Sequence, residues 1–243
     1  VKTPDPARLF KALDKTWSPA SITTNGPWTL RKGNGGGQRV SAATANSPVL
    51  ETDISAAETG MRDLGQRPLF MIRPEDESLD QWLDDRKYSI HDPVNMFLIA
   101  AADLAEDLPM TLAIPTWPML AVQKELWRNA GIGPERLAVM ERVTAPKVSI
   151  LGRRSDTPGG TAFVSVDGDI AMLHALEIAQ DQRRKGVAQT IMKGAANWAV
   201  QNRANWLAVA VTRANASANA LYDKLGMSVA TRYHYRHAPE ETA

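Results

Sequence analysis

The stretch that most limits the fold runs from residue 169 to residue 211. Apolar residues dominate 169–178, a strand pattern, and a short basic link, Gln182-Arg183-Arg184-Lys185-Gly186, follows. Residues 187–203 then read as a helix, with Val187, Ile191, Ala195 and Trp198 on one face and Gln189, Lys193, Asn197 and Gln201 on another. Residues 206–211 form the next strand, of alternating small and larger apolar side chains. Strand, helix and strand in that order imply a parallel crossover, which commits the chain to a sheet with a helix on its face.

The neighbouring residues extend this sheet. Residues 148–153 and 161–166 read as strands joined through Thr157-Pro158-Gly159-Gly160. Asp167-Gly168 marks a tight hairpin turn, because glycine accepts the positive φ of a type I′ turn. Residues 216–225 give a second helix and 227–235 a last strand. The order β, β, β, α, β, α, β makes this an α/β (α+β) domain, a mixed sheet flanked by helices.

The first half is less regular. A helix is expected over 6–17, a strand over 28–30, a flexible loop at Gly33-Asn34-Gly35-Gly36-Gly37 and a returning strand over 39–43. Helix 55–65, strand 68–73, helix 78–86 and strand 94–100 follow. Pro109, Pro115 and Pro118 punctuate a middle region that carries helices over 119–130 and 134–142. We therefore divide the chain into 1–108, a connecting helical region 109–145, and 146–243. A faint repeat links the ends of the two halves. Leu83-Asp84-Asp85-Arg86-Lys87-Tyr88-Ser89-Ile90 aligns with Leu221-Tyr222-Asp223-Lys224-Leu225-Gly226-Met227-Ser228-Val229 if one gap is placed near residue 225, which sets Asp84 against Tyr222.

Charge and composition exclude several classes. Lys and Arg number 28 against 27 acidic residues, so the basic surplus of a general nucleic-acid binder is missing. With no cysteine there is no disulfide framework, thiolate metal site or cysteine nucleophile. The four histidines are scattered without paired spacing, so no metal site is expected. No apolar run approaches the ~18 residues of a membrane span, and residues 1–10 lack a signal-like apolar segment; the cytoplasm is the default location.

The chemistry concentrates at Arg183-Arg184-Lys185-Gly186-Val187-Ala188. A strand-to-helix turn leaves backbone N–H groups unpaired at the helix start, where the macrodipole favours an anion such as a pyrophosphate. Gly186 and Ala188 keep the first turn open, and the three cations can pair with phosphate oxygens. A solvated basic turn is the competing reading. Neither a G-x-x-x-x-G-K-[ST] loop nor a G-x-G-x-x-G turn after a strand occurs.

Downstream stands Asn215-Ala216-Ser217-Ala218-Asn219-Ala220-Leu221-Tyr222-Asp223-Lys224-Leu225-Gly226-Met227. Together the two segments resemble the GNAT superfamily of acetyl-CoA-dependent N-acetyltransferases. Its [RQ]-x-x-G-x-[GA] turn is filled by Arg183, Gly186 and Ala188, and its N-x-x-A-x-x-L-Y segment by Asn215, Ala218, Leu221 and Tyr222. The resemblance covers about 148–236, and the first half is similar to the degenerate partner of tandem members. It implies two tandem GNAT-like domains with one active site, in the second half, because no basic turn opens the helix near 55–65.

The resemblance also implies acetyl-CoA as co-substrate, attacked directly by a primary amine on a small molecule or a peptide. Residues 183–188 would hold the pyrophosphate, and the backbone of Leu176, Glu177 and Ile178 the acetyl and pantetheine groups. Asn215 would be a helix cap and a pantetheine contact. Tyr222 is the candidate acid for the leaving thiolate, or a packed tyrosine. The glutamate that some members use as base falls at Met172 here. His174, on the same strand face, is the alternative base, or a structural histidine. Glu177 points to the other face unless the strand bulges. A non-catalytic acyl-CoA-binding protein and a rigid interaction surface remain the competing functions, and the chain is expected as a monomer or homodimer.

Overall fold

The computed structural model describes residues 2–240. In chain order its elements are α1 (Pro6–Thr16), β1 (Ser21–Asn25), β2 (Trp28–Lys32), β3 (Thr44–Ala45), α2 (Ile54–Asp63), β4 (Leu69–Ile72), α3 (Glu77–Asp85), β5 (Ser89–Ala100), α4 (Ala101–Leu104), β6 (Ala113–Thr116), α5 (Ala121–Asn129), α6 (Pro134–Arg142), β7 (Lys147–Arg154), β8 (Thr157–Asp167), β9 (Ile170–Ile178), α7 (Val187–Gln201), β10 (Trp206–Thr212), α8 (Ala216–Lys224) and β11 (Ser228–His237). No described helix is long and apolar enough to cross a membrane. The chain forms two compact units that cut across the linear boundaries at 108 and 145. The first comprises residues up to 18 with 96–211 and 216–230, and the second 19–95, 212–215 and the residues from 231 on.

In the first unit the strands lie in the order β5-β10-β9-β8-β7-β6. β9 and β10 run parallel, as the crossover through α7 requires, while β6 to β9 pair antiparallel. One sheet face, with Ile150, Ala162, Val164, Leu173, Leu207 and Val209, packs on Val187, Ile191, Met192, Ala195, Ala196 and Ala199 of α7. The small residues let the helix sit close. A Cβ on Gly152 would come within 2.5 Å of Ile191, so a side chain there would push α7 off the sheet. Glu106 is tied to the polar side of α7 by Lys193 and by Asn197, whose Oδ1 accepts its N–H at 3.0 Å.

The other sheet face is covered by α1 and α5. Arg8 of α1 anchors on the β8–β9 turn through Asp167 at 2.7 Å and Asp169 at 3.1 Å. That turn is Gly168-Asp169, closed by the pair Asp167↔Ile170, one residue beyond the expected Asp167-Gly168, and Gly168 has φ +56°. The β7–β8 turn also moves. It falls at residues 155–156, and Thr157-Pro158-Gly159-Gly160 lies inside β8, with Gly160 opposite Gly152. β6 is an element the proline-rich middle did not announce. It is the edge strand of the sheet, where Pro115 costs no ladder bond.

The second unit holds the antiparallel sheet β1-β2-β3 and the pair β4–β11 through His234–His237. The expected returning strand at 39–43 is a short 3-10 turn, Gln38–Val40, and the true return is β3, with Trp28 opposite Ala45. Gln66 explains the difference. Its Oε1 accepts the Gly33 N–H at 2.7 Å and its Nε2 donates to Arg31 O at 2.8 Å, taking backbone groups that a strand would need. Trp28, Phe70 and Tyr88 stack edge to face, with ring centroids 5.4 Å and 5.7 Å apart, over Ile54, Met61, Leu79 and Leu83.

The two segments compared in the sequence share local geometry. β4, α3 and β5 match β10, α8 and β11 in kind and order. Lys87 (φ +65°) and Gly226 (φ +78°) end the two helices in the left-handed region. The Tyr88 N–H donates to Leu83 O at 2.9 Å and the Met227 N–H to Tyr222 O at 3.1 Å. These caps align the segments without a gap, so the residue in the place of Tyr222 is Leu83, not Asp84.

Candidate active site

β9 and β10 stay together only from Ile170↔Trp206 to Leu173↔Val209. β9 then runs on to Ile178 against β8. Where two parallel strands part, the edge of the continuing strand keeps unpaired backbone groups that a ligand can engage. Leu176, Glu177 and Ile178 occupy that stretch.

The same stretch contains a bulge. His174 pairs with Phe163 and Glu177 with Thr161, so two residues of β9, Ala175 and Leu176, stand against the single Ala162 of β8. Ala175 carries φ +50°. The inserted residue reverses the alternation, putting Glu177 on the same face as His174, while Leu176 and Ile178 pack toward α7. Two contacts fix the geometry. The Trp127 indole of α5 donates to Ala175 O at 2.8 Å. Gly160 pairs with Ile178 just past the bulge, where a Cβ would lie 2.7 Å from Glu177 O.

Past β9 a 3-10 turn, Gln180–Gln182, leads to the start of α7. Gly186 is its N-cap, with φ +86° and ψ −9°, and no side chain caps the helix. Open space surrounds the position where a Gly186 Cβ would stand. Its backbone conformation, rather than crowding, calls for glycine. Residues 183–186 are exposed, and among the described residues Arg184 and Lys185 form no ion pair. Arg183 Nε lies 3.4 Å from Ile178 O, folded back on the end of β9. Val187 is buried beneath the turn and Ala188 is half-buried.

Tyr222 of α8 is only 4% exposed, and its ring lies 5.4 Å from that of Phe97. Burial raises its pKa, and the charge of Glu177 raises it further. Burial also lifts Glu177 above the usual carboxylate range, against the opposing pull of Arg183 and Arg136. The two groups therefore feel each other. His174 is placed differently. It is 4% exposed, its Nε2 lies 2.9 Å from Thr16 Oγ1, and its ring is flanked by Trp17 at 5.0 Å and Phe163 at 6.2 Å. That enclosure suits a packed histidine better than a proton acceptor open to an amine. Asn215 belongs to the short segment 212–215 grouped with the second unit, and its N–H donates to Thr212 O at 3.0 Å.

Sequence reasoning left the orientation of Glu177 conditional on a bulge that it did not locate, and it missed the part of Trp127. A bulge leaves no reliable mark in an apolar run, and the only hint was Gly160 across the ladder. Trp117 lies on the covered face, 5.8 Å from Phe163, with Lys147 Nζ 4.5 Å above its ring.

Residues 112–227 match the family model described as the acetyltransferase (GNAT) family. The chain is 26% identical over 244 residues to an uncharacterized N-acetyltransferase, YobR, of Bacillus subtilis (strain 168), covering 96% of this chain and 98% of the relative. Its fold is similar to that of a GCN5-related N-acetyltransferase from Kribbella flavida, with a TM-score of 0.72, 16% identity, and 96% and 95% of the two chains covered. It is also similar to a tandem GNAT protein from the clavulanic acid biosynthesis pathway, with a TM-score of 0.62, 10% identity, and 99% and 91% covered.

Proposed function

With residues 112–227 placing this chain among acyltransferase enzymes of the GNAT type, we propose that it transfers the acetyl group of acetyl-CoA to a primary amine by direct attack on the thioester. The observation that carries the reading is the uncapped start of α7 behind the exposed run Arg183-Arg184-Lys185-Gly186, directly after a β9 edge that β10 has left. An anion is drawn to such a helix start, and the three cations complement a pyrophosphate. The acetyl and pantetheine groups then run along Leu176, Glu177 and Ile178. Met172 and the enclosure of His174 leave Glu177 as the base, brought round by the bulge.

A free alkylamine is mostly charged at neutral pH, since its pKa is near ~10.4. Glu177, lifted by burial, takes one ammonium proton better than an ordinary carboxylate would. The neutral amine attacks the thioester carbon, backbone N–H groups where β10 leaves β9 receive the developing oxyanion, the C–S bond breaks, and the second nitrogen proton passes to solvent. Tyr222, kept protonated by its burial, donates to the leaving thiolate and recovers its proton from solvent. The products are the acetylated amine and free CoA thiol. The acceptor is a small-molecule or peptide amine, and the location a cytoplasmic one. We further read the second unit as the degenerate partner of a tandem pair, on the matched strand–helix–strand geometry, with no acetyl-CoA site of its own.

Calorimetry with acetyl-CoA on the full chain, followed by thiol release with a panel of primary amines, tests this. Binding with turnover is expected. Binding without turnover on any amine would favour a non-catalytic acyl-CoA-binding protein, and a folded chain that binds nothing would remove both.

A further inference from the structure

Glu177 reaches the acceptor face only because of one extra residue, and that residue is an alanine at φ +50°. An L residue with a Cβ in the left-handed region costs roughly 1–2 kcal/mol. Something must hold it there, or β9 would relax to a regular strand and turn Glu177 toward α7. A half-buried carbonyl at a bulge is also left without its ladder partner. Both problems meet at Ala175, and one group answers both. Trp127, fully buried in α5, donates its indole N–H to Ala175 O at 2.8 Å. Trp127 anchors the end of its own segment as well, since its carbonyl accepts the Ile132 N–H at 2.8 Å and the Ala130 N–H at 3.1 Å. The donor therefore stands on a fixed support, and across the ladder the two bulged residues face the single Ala162.

We propose that Trp127 is a positioning residue for the amine acetylation described above: its indole N–H holds the Ala175 bulge and so aims Glu177 at the acceptor amine. Trp127 touches neither substrate nor cofactor. Its effect passes through one backbone carbonyl. The proposal rests on the acetyltransferase reading, but it separates from it, because the phosphate turn at 183–188 stands apart from the Trp127–Ala175 bond.

The test uses the full chain with acetyl-CoA and the best acceptor of an amine panel. Trp127→Phe keeps an aromatic ring and removes the N–H. It is expected to bind acetyl-CoA as the native chain does and to lower kcat about tenfold, the loss of roughly one hydrogen bond. Amide exchange of the 172–178 segment should speed up with it. The deciding variant is Trp127→Phe with Ala175→Gly. Glycine adopts the bulge conformation without strain, so the double variant should recover most of the lost kcat and slow the exchange again. A tryptophan that merely fills space would not be rescued by a change at Ala175. Should Trp127→Phe fail to fold, Ala175→Val in the native background opposes the bulge with the indole intact and should lower kcat in the same way. Native kcat in Trp127→Phe, a double variant no better than the single one, or an Ala175→Val enzyme with native kcat would each overturn the proposal. Loss of acetyl-CoA binding in the native chain would instead bring down the underlying reading. If acetyl-CoA binds but no amine is turned over, the exchange rates alone decide whether the indole holds the bulge.

Discussion

Two helix starts in this molecule are built in opposite ways. α7 opens with Gly186 in the left-handed region, has no side-chain cap and follows Arg183, Arg184 and Lys185. α2 opens out of a 3-10 turn, Glu51–Asp53, whose two carboxylates stand just ahead of it; Asp53 is its N-cap, likewise without a side-chain cap bond, and Asp53 Oδ2 accepts the Leu50 N–H at 2.8 Å. The macrodipole is the same at both ends. At α2 the chain supplies its own anions, and a phosphate would meet repulsion. At α7 the chain supplies only cations and leaves the anion to come from elsewhere. On the proposed reading, the capacity to hold a dianion belongs to the α7 start alone.

The largest effect expected from this contrast is at Gly186. Gly186→Glu brings to α7 the kind of carboxylate that α2 already has. It should weaken acetyl-CoA binding about 100-fold or more, through the loss of charge-assisted bonds worth roughly 3 kcal/mol, while circular dichroism stays native. The native chain should bind one acetyl-CoA per chain. A calorimetric stoichiometry of two would break the contrast, because the acidic start of α2 would then have failed to exclude the ligand.

Glu177 and Tyr222 come next. Glu177→Gln should lower kcat by roughly 10²–10³-fold. In the native enzyme the rate should fall as pH drops through a pKa above the usual carboxylate range, and that limb should vanish in the variant. The stability sign is also definite. The folded pKa of Glu177 is raised, so between the unfolded and folded values the native state holds more protons. Stability then declines as pH rises through that window, and Glu177→Gln should melt higher than the native protein at neutral pH. Tyr222→Phe should cost roughly 10²-fold in kcat with acetyl-CoA binding kept. The second unit offers the control: Leu83 has the place of Tyr222 and no hydroxyl, so Leu83→Ala should reduce stability by about 2–5 kcal/mol without altering acetyl-CoA affinity. Native kcat in Tyr222→Phe would leave that tyrosine a packing residue like Leu83.

The residues that could be read in advance are those whose function follows from local rules. A basic turn before an amphipathic helix, a glycine needed for its backbone angle, and a run of alternating strands all announce themselves within about ten positions. Hence α7, the turn at 183–188 and most of β7 to β11 were legible. β1 was not, because Ile22 is its lone large apolar residue and lies 57% exposed, so no alternation was visible. β6 hid behind Pro115, harmless only at an edge. The missing return strand at 39–43 depended on Gln66, far along the chain. The bulge at Ala175 depended on Trp127 and Gly160, neither of them its neighbour in sequence. Tertiary partners decided these cases, and the alternation rule alone could not say which face Glu177 takes for that reason.

The smallest effects separate the two helix starts most cleanly. Asp53→Ala removes an acid from the α2 start together with its bond from the Leu50 N–H, and should cost about 1 kcal/mol of stability. Gly186→Ala forces a Cβ into φ +86° at the α7 start, and with no atom within 4 Å of that Cβ the penalty is backbone strain alone, again about 1 kcal/mol. Denaturant midpoints should thus move by similar amounts. Acetyl-CoA affinity should not: it should fall a few-fold in Gly186→Ala, whose methyl would occupy the open space at the proposed phosphate turn, and stay native in Asp53→Ala. An equal loss of affinity in both variants would mean that binding simply tracks stability, and the assignment of the anion to the α7 start would fail even though each mutation behaved as a helix start should.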